Sequence, residues 1–469
     1  MIGLVCLGLA AAPGLARAED HAVWSQVLGF ERLPPVDAGV IPATYEMQAP
    51  RVNEPIPAAS APRRSGPVPP TIATQPAGSL SANIWTLEQL VQIAEQNNPS
   101  IRKAAAQIQS ARGDATQAGL YPNPNFDTNN PELIGGQYSA LNVGAIQEIV
   151  VKGKLRLNRA AANQALVQAQ LAYVTARFDA LTEIRLQFYA VLAAERRLVV
   201  LRDLVQIAEQ TRHAAVGRVQ AGEGTETDVL LLTVELQRAE VAVVNAETKL
   251  VGLKRKLAAT VGIPELSVAA VRGDLFGPVP RFDDEQMKQY IVNDNSEVQT
   301  ARAEILRNRV LLRRAEVEAY PNPTIGPVLY WGLNPGTVPT QFGITVVTPL
   351  PLWNRNQGNI DSQRGDLAAS AGNLGAVQND LLGSAADTLH QHLAARQLAD
   401  RIGSDILPNA KRSQELVRSG FNKGLLDIST LLAAQKSLIQ ANLDYIDALE
   451  DVWTTAAELA GLLQRQQFP

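Results

Sequence analysis

The chain has 469 residues, 42 of them basic and 46 acidic, and its formal net charge of −4 argues against nucleic acid as a partner, because phosphate binding needs a basic surface. A single cysteine excludes a disulfide framework and a cysteine-built zinc site, and four histidines and three methionines leave little for a metal centre. Hydrophobic residues make up 46% and aromatics 5%, and long stretches rich in Ala, Leu, Val, Gln, Glu and Arg predict a largely helical protein.

Residues Met1 to Leu15 are apolar and uncharged and precede Ala16-Arg17-Ala18, the pattern of a secretory signal cleaved after Ala18. No Lys or Arg precedes the apolar run, so an upstream start and a buried N-terminal helix are the alternatives. Gly3-Leu4-Val5 is a poor match to the sequence that would lipidate Cys6. Residues 19–83 are rich in Pro, Ala and small polar residues, which predicts an extended arm or linker. No later segment reaches the roughly 18 uncharged apolar residues of a spanning helix. Any membrane insertion of such an exported chain must use a β-barrel.

Ordered structure is expected to start at Thr86-Leu-Glu-Gln89, a capping-box pattern, and to continue as helix to about Ala118. It stops at Tyr121-Pro-Asn-Pro124, and the same signal recurs at Tyr320-Pro-Asn-Pro323 after a second helical stretch. Two prolines one residue apart end a helix and force extended backbone. Two strands are predicted after each signal: about Asn125–Asn130 and Tyr138–Val151, then about Thr324–Leu333 and Gln341–Leu350. The turns between them fall at Pro131–Gly136 and Asn334–Thr337. Phe342, Ile344 and Val346 alternate with Gly343, Thr345 and Val347, while Asn125–Asn130 is weak by propensity.

Very long helical sequence follows each pair. The first run, about Lys154 to Gln220, holds no proline, and Leu181, Ile184, Phe188, Val191, Leu198, Leu201, Val205 and Ala208 keep 3-4 spacing with Glu195 as the break. After Gly222-Glu223-Gly224 the seam resumes from Val229 to Leu257. The second half repeats this over about Gln357 to Ala399 and Ile406 to Leu463, with Gln435 and Asn442 as polar breaks. Such spacing predicts supercoiled helices, either as walls of a larger assembly or as a plain antiparallel coiled-coil rod. The turn Gly222…Asp228-Val229 is answered by Gly420…Asp427-Ile428, so each half reads helix, two strands, long helix, turn, long helix.

With both halves laid out, the chain from about Ile84 to Leu463 resembles the TolC family of outer-membrane efflux ducts. The resemblance is carried by Asn98-Pro-Ser100, both Tyr-Pro-Asn-Pro signals, Gly153-Lys154, Pro349-Leu-Pro-Leu-Trp-Asn-Arg-Asn-Gln-Gly358 and the two Gly…Asp turns. It implies an α+β fold with two TolC-like repeats, residues 84–275 and 276–469. It also implies a homotrimer whose protomers each give four strands to a 12-stranded transmembrane β-barrel above a helical coiled-coil barrel in the periplasm. The implied partners are a periplasmic adaptor (membrane fusion protein), an inner-membrane pump and outer-membrane lipid.

On this resemblance Asp427 matches an acidic pore constriction, though it also suits a helix cap, and Thr430 stands where the family often has a second acid. Asp228 is expected to be a cap or an intersubunit partner. The adaptor would contact Gly222, Glu223, Gly224, Arg418, Ser419, Gly420 and Phe421. Tyr330, Trp331 and Trp353 suit an aromatic membrane girdle, with ordinary packing as the alternative.

No Gly-x-Ser-x-Gly or Walker motif is present, and His390 and His392 are two apart on a predicted helix, pointing to different faces. No catalytic residue, metal site or cofactor is expected. The predicted function is a passive duct of a tripartite pump, exporting solutes such as metal cations or drugs. The proline-rich Pro349–Gly358 segment leans toward the heavy-metal-efflux branch. A type I secretion duct and a pore-free periplasmic scaffold are the alternatives.

Overall fold

The computed structural model describes residues 84–129, 140–222, 224–332, 339–423 and 425–468. The proposed signal, the arm, Glu223 and the turns Pro131–Gly136 and Asn334–Thr337 lie outside the described residues. In chain order the elements are β1 (Ile84–Thr86), α1 (Leu87–Asn97), α2 (Pro99–Gln117), β2 (Asn125–Asn129), β3 (Ala140–Glu148), α3 (Lys154–Gln220), α4 (Glu226–Val261) and β4 (Ala270–Arg272). The second half follows with α5 (Asp284–Asn293), α6 (Ser296–Glu318), β5 (Thr324–Gly332), β6 (Gln341–Val347), α7 (Gln357–Arg401), a π-helical segment (Ile402–Ile406), α8 (Leu407–Asn422) and α9 (Ile428–Leu462).

The 67 residues of α3 span about 100 Å at 1.5 Å per residue. α3 packs against α2, α6, α4 and α9, and α7 packs against α6 and α9. The apolar seams meet there: Leu181, Ile184, Phe188, Val191, Leu232, Leu257 and Leu449 are buried. Each polar break has a partner. Glu195 pairs with Lys254 at 2.8 Å, Gln435 donates to the Thr211 hydroxyl at 3.3 Å, and Asn442 donates to the Leu438 carbonyl at 2.8 Å. At the waist, Tyr189 stacks on Trp453 with ring centroids 4.5 Å apart. The Trp453 indole donates to the Leu275 carbonyl at 2.8 Å. Nearby, β1 pairs in parallel with β4, a contact too short to leave a periodic signal in the sequence.

The duplication extends to single side chains. Asn98 caps α2 by accepting from Ser100 N–H and donates its amide to the Thr260 carbonyl at the end of α4. Asn295 caps α6 by accepting from Glu297 N–H and donates to the Leu462 carbonyl at the end of α9. One residue type therefore starts a helix and ties it to the end of its half's hairpin, satisfying orphan groups on both.

The expected interruption between Ala399 and Ile406 is absent. The helix runs through as α7, widens to a π-turn over Ile402–Ile406 and continues as α8. Pro408 explains the widening. It lacks an N–H and its ring crowds the carbonyl four residues back, and a π-turn moves that carbonyl away. Gly403 sits in the same turn, where a Cβ would lie 3.1 Å from the Tyr445 ring.

The strands end earlier than expected because side chains of the proline motifs take over the backbone. The Tyr121 hydroxyl accepts from Val150 N–H at 3.0 Å and Asn322 Oδ1 accepts from Val151 N–H at 3.1 Å. β2 forms despite its weak propensity because β3 supplies a full antiparallel ladder from Asn125↔Ile146 to Asn129↔Asn142.

Candidate functional site

The four long strands form one antiparallel sheet in the order β2-β3-β5-β6, so the hairpins of the two halves lie side by side and, among the described residues, both outer edges lack a neighbour. Directly opposed residues share a face. Leu141, Val143 and Ala145 of β3 fall with Ile325, Pro327, Leu329 and Trp331 of β5. Phe126 of β2 and Phe342, Ile344 and Val346 of β6 join them. This face is apolar and open, with Phe126 75%, Ile344 75% and Phe342 85% exposed. The opposite face carries Asn125, Asp127, Asn142, Gly144, Glu148, Thr324, Gly326, Gln341, Gly343 and Thr345, together with Ile146, Val328, Tyr330 and Val347. A period-2 sheet with an exposed apolar face and a mixed reverse that holds most of its polar residues fits the pattern of a lipid-facing, lumen-lined strand set.

Register corrects one expectation. Tyr330 and Trp331 are consecutive strand residues and stand on opposite faces. Trp331 joins the apolar face, whereas Tyr330 opposes Asn142 and Gln341 on the polar one and its ring closes over Gly343. Tyr330 and Trp331 therefore cannot belong to one girdle on a single face. Trp331 lies at the end of the sheet away from the helices, and Trp353, 87% exposed, lies at the helical end.

The first helical turn is built on Gly222, whose φ of +81° suits glycine. Thr225 and Asp228 then form a reciprocal capping box at the start of α4: the Thr225 hydroxyl accepts from Asp228 N–H at 3.2 Å and the Asp228 carboxylate accepts from Thr225 N–H at 3.3 Å. The capping interaction expected for Asp228 is thus made within the chain. In the second turn Gly420 lets Leu426 approach, and a Cβ at 420 would stand 2.7 Å from Leu426 Cδ1. Asp427 occupies the N-cap position of α9 without a side-chain bond to the helix backbone. Its carboxylate accepts from the hydroxyls of Ser429 and Thr430 instead. Those two donors hold its pKa below the ordinary carboxylate value. The Thr430 of the sequence thus supports the acid at 427.

The seven residues expected at the adaptor surface divide. Gly222, Arg418 and Ser419 are exposed or half-exposed at the turns, and Gly224 is half-buried against Val219. Glu223 lies outside the described residues. Phe421 is only 9% exposed and lies beneath the Arg218 guanidinium, so its ring joins the two turns.

Elsewhere, His392 is buried with Nδ1 3.0 Å from the Thr455 hydroxyl, while His390 is exposed. Burial lowers the His392 pKa. Asp179, Glu297 and Glu458 line a 340 Å³ recess with Thr182 and Gln464, and desolvation raises the pKa of all three acids. Among the described residues, no group of three His, Cys, Asp or Glu side chains is placed to hold a metal ion. No described helix is long and apolar enough to cross a membrane.

A family model described as outer membrane efflux protein matches residues 90–262 and 332–464, one segment in each half. The chain is 26% identical over 390 residues to the cobalt-zinc-cadmium resistance protein CzcC of Cupriavidus metallidurans, covering 81% of this chain and 90% of that protein. The outer membrane protein VceC of Vibrio cholerae shares the fold with a TM-score of 0.67 at 18% identity, over 81% of this chain and 96% of that one. The transmembrane channel protein CusC does so with a TM-score of 0.68 at 14% identity, over 80% and 91%.

Proposed function

The chain belongs to the outer membrane efflux protein family, and from that premise we propose that it works as the passive duct of a tripartite pump. It is an outer-membrane efflux channel. The observation that carries the duct reading is the two-faced sheet, with both edges unpaired among the described residues, joined to a helix of about 100 Å. Four strands are too few to close, so the barrel must be completed by other copies of the chain. Three protomers would give a 12-stranded barrel in the outer membrane with the helices hanging in the periplasm.

A second unpartnered surface supports oligomerisation. Leu230, Val234, Val241, Val244 and Val251 are exposed along one stripe of α4 at helical spacing. Such a stripe needs a neighbouring helix to cover it. The exposed turns at Gly222 and Arg418–Ser419 are the proposed adaptor contact, and three Asp427 carboxylates are the proposed constriction. Residues 1–18 act as the export signal in this reading, residues 19–83 as an arm, and 84–275 and 276–469 as the two repeats. The inner-membrane pump supplies the energy, and the duct itself catalyses nothing. CzcC is named for cobalt, zinc and cadmium resistance, which makes metal cations the favoured cargo.

The test is to purify the protein from outer membranes and record single-channel currents, alongside Asp427→Ala. Heat-modifiable trimers with discrete openings that lose selectivity or grow in the variant are the expected result. A soluble, non-conducting oligomer would point to the pore-free scaffold.

A further inference from the structure

The polar face of the sheet is charged in one sense only. β2, β3, β5 and β6 contain no lysine or arginine, and their two acids, Asp127 and Glu148, both stand on that face. The two acids differ in their surroundings. Glu148 lies at the helical end of β3 and accepts a hydrogen bond from the Asn322 amide at 2.6 Å. Asp127 lies at the middle of β2, is exposed, and has no hydrogen-bond or ion-pair partner among the described residues. Its cross-strand neighbour is Gly144, which places no side chain beside it. A carboxylate held on a strand, unneutralised and unshielded, acts on whatever passes that face.

We infer that Asp127 is a charge-selectivity determinant of the barrel lumen, one copy from each protomer forming a mid-barrel collar that admits cationic solutes in preference to anionic ones. This rests on the trimeric-duct reading and extends it by naming a residue of the barrel wall that sets charge selectivity. The collar selects without binding. The carboxylates face water across an open lumen and coordinate nothing, and their field, focused by the low-dielectric wall, raises the local cation concentration. Screening limits the effect, which is expected to be about threefold in cation-over-anion permeability near physiological salt and larger in dilute salt.

The experiment is the reversal potential of single channels in a KCl gradient, for wild type, Asp127→Asn, Asp127→Glu and Asp127→Lys, each first shown to form heat-modifiable trimers. Wild type and Asp127→Glu are expected to favour potassium. Asp127→Asn is expected to lower the potassium-to-chloride permeability ratio about threefold, and Asp127→Lys to lower it further. Open Asp127→Asn channels with an unchanged ratio would overturn the inference and leave the duct standing. Wild-type trimers without any conductance would overturn the duct and this inference with it.

Discussion

The guanidinium of Arg218, near the end of α3, lies over the ring of Phe421, near the end of α8, at 5.1 Å from its centroid. The two residues belong to different halves of the chain, and their contact joins the two turns at the tip. A partly exposed cation–π pair contributes about 0.5–1 kcal/mol. If the tips must part for the duct to open, Arg218→Ala should raise open probability by about two- to fivefold, the same energy expressed as a ratio. Single-channel recording checks this. Unchanged gating in the variant would show that the pair is only packing.

The two faces of the sheet make opposite predictions for one substitution. Ile344→Arg places a charge on the open apolar face, where it should cost about 2–4 kcal/mol near the bilayer midplane and deplete trimers from the membrane fraction. Thr345→Arg, one residue on, faces the polar side and should insert normally. Gel mobility of unheated and heated membranes distinguishes them. Equal loss in both variants would rule out the assigned faces.

Asn98 and Asn295 should be equivalent in energy. Replacing either with Ala removes a cap and leaves a carbonyl at the end of a long helix without its donor, a loss of about 1–2 kcal/mol each. They lie in different halves, so the double variant should be additive within about 0.5 kcal/mol. Thermal unfolding of the purified protein measures both effects. Strong non-additivity would mean that the two anchors share a cooperative unit.

Stability should depend on pH in two opposed ways. Burial lowers the His392 pKa, so the unfolded chain takes the proton first. The contribution of the neutral imidazole is complete above about pH 6.5 and is lost as pH falls through its lower folded value. His392→Gln should therefore flatten the fall in melting temperature between pH 7 and 5. Desolvation raises the Asp179 pKa, and the like-charged Glu297 has its own pKa raised by desolvation and by Asp179. Here the folded chain holds the proton more tightly, and stability falls as pH rises through the raised value. Asp179→Asn should raise the melting temperature at pH 7.5 by a few degrees and leave it unchanged near pH 4. A gain at both pH values would trace the effect to packing.

The long helices were legible because their signals are redundant. The Lys154–Gln220 run carries its own seam, its own stop at Gly222 and a second copy in the other half, so one misfit such as Glu195 does no harm. The weak strand at Asn125 was legible only through its position after Tyr121-Pro-Asn-Pro124, since its stability comes from β3. At two positions residue type alone hides the geometry. Tyr330 and Trp331 look alike as aromatics, and only strand alternation separates them. Phe421 looks like a surface hydrophobe until Arg218, some two hundred residues earlier, is brought over it. The sequence leaves a gap between Ala399 and Ile406, whereas the chain stays helical there through a π-turn that accommodates Pro408.

That π-turn also acts as a phase shifter. In an α-helix each residue advances the side-chain direction by about 100°. One residue fewer within Ile402–Ile406 would leave both flanking helices formed but turn all of α8 by about that angle about its own axis. Gly420 would no longer face Leu426, and Phe421 would swing out from under Arg218. The aim of the second tip is thus set some fifteen residues before it, by a count of residues in the π-turn.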